Sequence, residues 1–187
     1  CISTHKLMSF VFDDYWEDLG TIKAYHEANI ALADDNPPFD FHSPEGIIFT
    51  RMRFLPASRI NGAKLNHCLV SDGCVVAPGA NLERSVIGVR SRIGKNTSIR
   101  NSIIIGADRF ETPEEREQNE RDGIPSFTIG EGSVIENAIV DKDCRIGRNV
   151  KLINQEGVQN YESEMCVIKD GVMVIPRGTI IPDGTLI

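Results

Sequence analysis

Residues 70–99 read VSDGCVVAPGANLERSVIGVRSRIGKNTSI. Aliphatic side chains stand at Val70, Val76 and Leu82, six positions apart, and after one five-residue step at Ile87, Ile93 and Ile99. A helix repeats every 3.6 residues and a flat strand every two, so neither produces this spacing. The pattern returns at Ile129 and Ile135, then after another five-residue step at Val140, Ile146 and Leu152, and again at Ile175, Ile181 and Ile187. Small residues follow several of these aliphatics, at Gly88, Gly94, Gly130 and Gly147, and the last two units read IPRGTI and IPDGTL. A short fixed period belongs to a solenoid. Six residues suit one short strand and one tight turn of a parallel β-helix, with one aliphatic per unit pointing inward and small residues at the corners. An ordinary antiparallel β domain is the competing reading, and it gives no reason for so strict a period.

Two stretches interrupt the repeat. Residues 106–127, GADRFETPEEREQNERDGIPSF, are rich in Glu, Arg and Asp and nearly free of apolar side chains. They read as a solvated loop or short helix extruded from one corner. Residues 154–165, NQEGVQNYESEM, form a second, shorter excursion.

Ahead of the repeats, residues 1–45 read as mixed α/β. KLMSFVF (6–12) has the composition of a strand. Thr21 is a suitable N-cap for a helix carrying Ile22, Tyr25, Ala28 and Leu32 at helical spacing. DDNPP (34–38) stops that helix, because proline cannot continue it. FDFHSPEG (39–46) reads as a crossing linker, and GIIFTRMRFLP (46–56) as another strand at the start of the second domain, 46–187.

A formal net charge of −7 over 187 residues argues against nucleic acid, which favours a basic face. The five cysteines, at 1, 68, 74, 144 and 166, form no CxxC pair and fit a reducing, cytoplasmic compartment better than a disulfide framework or a zinc site. No apolar run approaches the ~20 residues that cross a bilayer. The first residue is Cys, inside a strand-like run, which suggests a piece of something longer.

Hexapeptide β-helices often serve acyltransferases, whose chemistry needs a histidine base in a cleft between coils. The four histidines here, His5, His26, His42 and His67, all lie outside the repeating units, His67 at their edge. That leaves two other kinds of role. The solenoid can assemble subunits through its flat sides and open ends. The segment before it can contribute to a catalytic site. FDDYWEDLGT (12–21) sets Asp13, Asp14, Glu17 and Asp18 around Tyr15 and Trp16, the only tryptophan. Carboxylates beside aromatics at a strand end suit a hard divalent cation facing a sugar or base. They equally suit an acidic turn at a helix N-terminus.

YWEDLGT followed by IKAYHEANIAL resembles the end of the catalytic domain of glucose-1-phosphate adenylyltransferase, the ADP-glucose pyrophosphorylase family. Its pattern is Tyr-Trp-x-Asp-aliphatic-Gly-Thr, a helix containing AN, a linker and a hexapeptide β-helix. The resemblance extends over essentially the whole chain, through RFLPASR, SVIGVRSRIG, IIIGADRFET, AIVDKDCRIGRNVKLIN and GTIIPDGTLI. GADRFET and VDKDCRIG are closest to its plant and cyanobacterial branch. The implied fold is the α/β end of a nucleotidyltransferase domain followed by a left-handed parallel β-helix. The implied activity is transfer of adenylyl from ATP to glucose 1-phosphate, for glycogen or starch synthesis. Asp18 maps onto a Mg2+-binding catalytic aspartate, and Trp16 onto the sugar side of the site. A cytoplasmic or plastid location and a homo- or hetero-tetramer follow from the same resemblance.

The resemblance also implies an allosteric site for an anionic effector, such as 3-phosphoglycerate or phosphate, held by basic residues of the linker strand and late coils. The linker strand offers Arg51 and Arg53, and Lys142 stands at the matching position of the coil block VDKDCRIG. Gln155 replaces a lysine expected there, and Arg51 stands where a neutral residue is common. The family's glycine-rich nucleotide loop and most of its sugar pocket have no counterpart in these residues, so the implied activity is that of a longer protein. Mannose-1-phosphate guanylyltransferases share the β-helix tail but match YWEDLGT and GADRFET less well. A non-catalytic regulatory or assembly subunit would keep the fold and lose the metal aspartate or the nucleotide loop; the presence of Asp18 favours catalysis.

Overall fold

Leu82 stacks on Ile99, Ile87 on Ile104 and Ile129 on Ile146, so the chain climbs one coil every 17 residues. Each coil has two six-residue sides and one five-residue side, and the five-residue steps seen in the sequence are that shorter side. The computed structural model describes residues 4–41, 46 and 48–187.

Three faces run the length of the coil. The first is a six-stranded parallel sheet of β1 (Arg59–Ile60), β3 (Val75–Val76), β5 (Arg92–Ile93), β8 (Thr128–Ile129), β11 (Arg145–Ile146) and β16 (Ile180–Ile181). The other two faces form one ten-stranded sheet, because β2 (Lys64–Val70) and β4 (Asn81–Ile87) bend through the corner between them. The second face continues through β6 (Ser98–Arg100), β9 (Val134–Glu136) and β12 (Lys151–Leu152). The third continues through β7 (Ile103–Ile104), β10 (Ala138–Val140) and β15 (Val172–Ile175).

The inward column is the one the period marks. Val76, Leu82, Ile87, Ile93, Ile99, Ile129, Ile135, Val140, Ile146, Leu152, Ile175 and Ile181 are all buried in one core. Val70 and Ile187, at its two ends, are partly buried. Each full burial contributes about 1.5–3 kcal/mol. The glycines after these aliphatics sit where one coil presses on the next. A Cβ at Gly94 would lie 2.5 Å from the backbone nitrogen of Glu131, and one at Gly130 2.3 Å from the carbonyl of Gly147. The corner between the second and third faces holds left-handed residues once per coil, at His67, Arg84, Asn101, Asn137 and Asn154. Asparagine tolerates that conformation better than most side chains. Here it also ties the coils together, Asn101 Nδ2 donating to Asn137 Oδ1 at 2.9 Å and Asn137 Nδ2 to the Gly171 carbonyl at 3.0 Å.

Helix α1 (Ile22–Ala31) forms as its cap predicts, with Thr21 Oγ1 accepting from the Ala24 N–H at 3.0 Å. It lies across the outside of the third face, burying Ile30 against Ile103, Ile139 and Val172. Strands there carry consecutive aliphatics (103–105, 138–140 and 172–175) because both sides are covered, the inner by the core and the outer by α1. His26 is buried and its Nε2 is 2.7 Å from the Asn101 carbonyl, so the ring carries its proton on Nε2. After the helix, Arg84 forms a two-pronged pair with Asp34, both contacts at 3.2 Å, and His67 approaches Asp35 at 3.3 Å.

Burial pushes the His26 pKa down, with the Asn101 carbonyl and Glu27 opposing and Arg84 adding to the fall. A depressed histidine keeps the folded form neutral while the unfolded chain takes up a proton below about 6.5. Docking of α1 is therefore expected to weaken as the pH falls below that value. Amide exchange in residues 22–31 followed from pH 7.5 to 5.5 checks this, and His26→Gln should flatten the dependence.

The first interruption contains α2 (Pro113–Arg121), closed by a capping box in which Thr112 accepts from the Glu115 N–H and Glu115 Oε2 accepts from the Thr112 N–H. The second contains β13 (Asn160–Glu162), which pairs antiparallel with β14 (Val167–Lys169) just after it, and β14 in turn extends the third face antiparallel beyond β15.

Two expected strands do not form. Residues 6–12 adopt no regular structure, and Leu7, Met8, Phe10, Val11 and Phe12 are exposed. The described part of 46–56 is likewise irregular, and the first strand is β1. A strand needs a neighbour for its backbone hydrogen bonds; residues 6–12 pair with no described strand, and the second stretch meets the coil only at its end, where the Pro56 carbonyl accepts from the Gly73 N–H at 2.8 Å. Of the α/β end expected before the solenoid, the described residues contain one helix and no strand. Most of the expected linker, 42–45, lies outside the described residues, as does His42.

Candidate functional site

The acidic aromatic stretch precedes α1 as an extended, exposed segment. Trp16 is 74% exposed. The Asp18 carboxylate turns back over the next turn, so that a Cβ at Gly20 would lie 3.3 Å from Asp18 Oδ1. That leaves its oxygens beside the start of a helix, where negative charge is favoured. Among the described residues no group of three or more His, Cys, Asp or Glu side chains gathers to hold a metal ion. Asp18 offers one hard oxygen donor group of the kind magnesium takes, and magnesium normally draws the rest from a second carboxylate, water and substrate phosphates. The described residues alone do not complete such a site.

Lys142 lies on the corner between the third and first faces. Its Nζ is 2.9 Å from Asp108 Oδ1. Arg177, from the next coil, reaches Asp108 Oδ2 at 2.5 Å and Asp143 Oδ2 at 2.8 Å. Asp143 Oδ1 accepts from the Asp108 N–H at 2.8 Å. The hydrogen bond from Lys142, helped by Arg177, holds the Asp108 carboxyl below its usual range. Arg177 and Asp108 were not legible as partners of Lys142, because they lie 35 residues later and 34 earlier, and only the coil stacks them.

Arg51 and Arg53 are exposed. Their segment joins the same corner. Gly73 donates to the Pro56 carbonyl, Arg90 to Asp72, Ala107 to Val89, and Asp143 to Gly106. Pro56 is thus four coil steps from Asp143, about 19 Å at the ~4.8 Å spacing of adjacent strands. No hydrogen bond or ion pair among the described residues joins Arg51 or Arg53 to Lys142.

A third constellation went unread in the sequence. Glu111, just before α2, has a side chain only 1% exposed. Arg145 of β11 meets its Oε1 at 2.6 Å and also donates to the Pro125 carbonyl at 2.7 Å. Asn119 Nδ2 donates to Glu111 Oε1 and the Phe127 N–H to Oε2, each at 2.9 Å. The Arg145 guanidinium lies 4.0 Å from the centre of the Phe127 ring. This knot fastens the excursion to the first face. One glutamate among so many in 106–127 gives no sign of being the buried one.

The described histidines do not make a base in a cleft between coils. His26 sits on the face of α1 that packs on the coil, its Nε2 held by the Asn101 carbonyl, and His67 is a corner residue facing Asp35. The buried thiols Cys74, Cys144 and Cys166 sit in the solenoid core, and burial pushes the Cys144 pKa up to about 11, so it is not a nucleophile. No helix of the described residues is long and apolar enough to cross a membrane.

The family model of the GLGC left-handed parallel β-helix domain matches residues 53–186. That span takes in all three faces, from β1 to β16, together with both excursions. The three-sided, 17-residue coil and this match make the chain a member of the GLGC left-handed parallel β-helix domain family.

Proposed function

We propose that the chain is the C-terminal region of an ADP-glucose pyrophosphorylase, which transfers adenylyl from ATP to glucose 1-phosphate. The match of the GLGC domain over 53–186 carries this reading. The YWEDLGT segment supports it from the other side of the linker, as do the exposed apolar side chains Leu7, Met8, Phe10, Val11, Phe12 and Trp16. In the reaction a phosphate oxygen of glucose 1-phosphate attacks the α-phosphorus of ATP, and the bond to pyrophosphate breaks. Catalysis of such a transfer is positioning and charge stabilisation, and needs no side-chain nucleophile. Asp18 would supply one carboxylate to Mg2+, which neutralises phosphate charge when bound. Trp16 would flank the sugar. The plant and cyanobacterial branch, a tetramer, and a cytoplasmic or plastid setting belong to the same proposal.

Allosteric control is the second part. Arg51, Arg53 and Lys142 would bind an anionic effector, and the Lys142 corner supports this by placing Arg177 next to Lys142. Asp108 already engages both cations, so an effector must displace it or join them from outside.

The test is pyrophosphate release by the full-length protein with glucose 1-phosphate and each of ATP, GTP and UTP, with and without 3-phosphoglycerate. ATP-selective release is expected. GTP preference would favour a guanylyltransferase, and no release from folded protein would favour a regulatory or assembly subunit. In the same assay Lys142→Ala should raise the effector concentration for half-activation about tenfold, the worth of a charged hydrogen bond, and spare the basal rate. An unchanged activation curve would remove Lys142 from the effector site.

A further inference from the structure

The excursion does more than cover a corner. Together with the first face it encloses a cleft of about 750 Å³, within the range of small-molecule sites. One wall is the outer surface of the first face, with Arg92, Lys95 and Arg148. The other is Arg116 of α2 and the turn Ile124, Pro125 and Phe127.

Its cations are not treated alike. Arg145, next to the cleft, is satisfied by Glu111 and Pro125. Arg148 faces Glu120 at 3.8 Å across the opening. Arg92 and Arg116 have no carboxylate within ion-pair distance and make no side-chain hydrogen bond among the described residues. Arg116 Nε is buried and has no partner. Buried polar groups are nearly always paired, so an orphaned guanidinium N–H beside a second unpaired guanidinium marks a place for an acceptor. The two also repel. Burial first, then the charges of Arg116 and Arg59, push the Arg92 pKa down, with the more distant Glu111 carboxylate opposing. An anion between them would relieve both penalties.

We infer that Arg92 and Arg116 form a binding site for the phosphate group of a small hydroxylated organic phosphate, held between the excursion and the first face of the coil. Guanidinium groups suit phosphate because each presents two parallel donors. The apolar wall of Ile124, Pro125 and Phe127 takes the carbon body, and the rim carboxylates Glu131 and Asp183 accept from hydroxyls. Asp183 already accepts from the Arg148 N–H through Oδ1 at 2.7 Å, which leaves Oδ2 for the ligand. This site is separate from the Lys142 corner, and its test reads binding directly, so it stands or falls apart from the proposed reaction.

Isothermal titration of the full chain at low salt with ribose 5-phosphate, inorganic phosphate and ribose tests it. Ribose 5-phosphate should bind, inorganic phosphate should bind more weakly, and ribose should not bind. Arg92→Gln and Arg116→Gln should each weaken binding at least about tenfold, as loss of a charged hydrogen bond does. Arg121→Gln, on the same helix but paired with Glu117, should bind as the parent does. Arg116 lies on the excursion and outside the core, so its replacement leaves the coil folded, which circular dichroism checks. No binding of either phosphate at millimolar concentration, or parent-like binding by Arg116→Gln, would overturn the site. Equal binding of the two phosphates would overturn the role of the apolar wall and rim.

Discussion

Arg145→Ala is expected to lower the melting temperature of the chain by roughly 10 °C. The loss is not chiefly that of one attraction. Glu111 stays behind, its side chain 1% exposed, with a negative charge and no cation to meet it. Breaking a buried pair from one side costs about 3–5 kcal/mol, and a chain of this size shifts by about 2–4 °C per kcal/mol. The Pro125 carbonyl and the Phe127 ring lose their partner in the same step. Replacing both residues with leucine should be far milder, since a well-packed apolar pair avoids the desolvation cost. Thermal denaturation of the single and double variants measures the difference. A single variant that melts like the parent would show that the excursion is not fastened by this pair. Because the excursion also forms one wall of the cleft, Arg145→Ala should weaken phosphate binding without removing either arginine that contacts it.

Asp18→Asn is expected to cut turnover of the full-length protein by about 100-fold or more while leaving folding intact. The substitution preserves shape and removes a negative charge from the proposed magnesium donor. Changes one shell further out cost 10- to 100-fold in metal affinity or activity. Asp18 is exposed and outside the core, so stability gives no rival explanation for a lost rate. Pyrophosphate release and thermal melting, run on the same samples, separate the two. A rate within a few-fold of the parent would remove Asp18 from the catalytic site and leave it the acidic turn before α1.

The inner surface of the coil was readable because it depends on near neighbours alone. Val76, Leu82 and Ile87 follow one another at the length of one side, and whatever lies above or below, each must turn inward. The left-handed asparagines and corner glycines are equally local. So is the start of α1, whose Thr21 cap is read within a few residues, whereas the helix ends at Ala31, ahead of the expected stop at 34–38. The outer surface was harder. Three aliphatics in a row at 103–105 were a sign that the third face is covered on both sides, yet they did not say that α1, some 80 residues earlier, was the cover.

The sequence by itself determined the coil, its period, its corners, its two interruptions and the helix that precedes it, because a repeating unit states its own geometry in its spacing. Only the tertiary structure decided that Lys6–Phe12 stays unpaired, that Glu111 alone among the excursion's acids is buried, that Arg177 joins Lys142, and that Arg92 and Arg116 stand without a carboxylate. These depend on stacking that brings together residues one or more coils apart, and on a loop folding back over a face. A charged side chain has the same composition whether it meets water, a partner or an unpaired like charge, and its neighbour across the coil settles which.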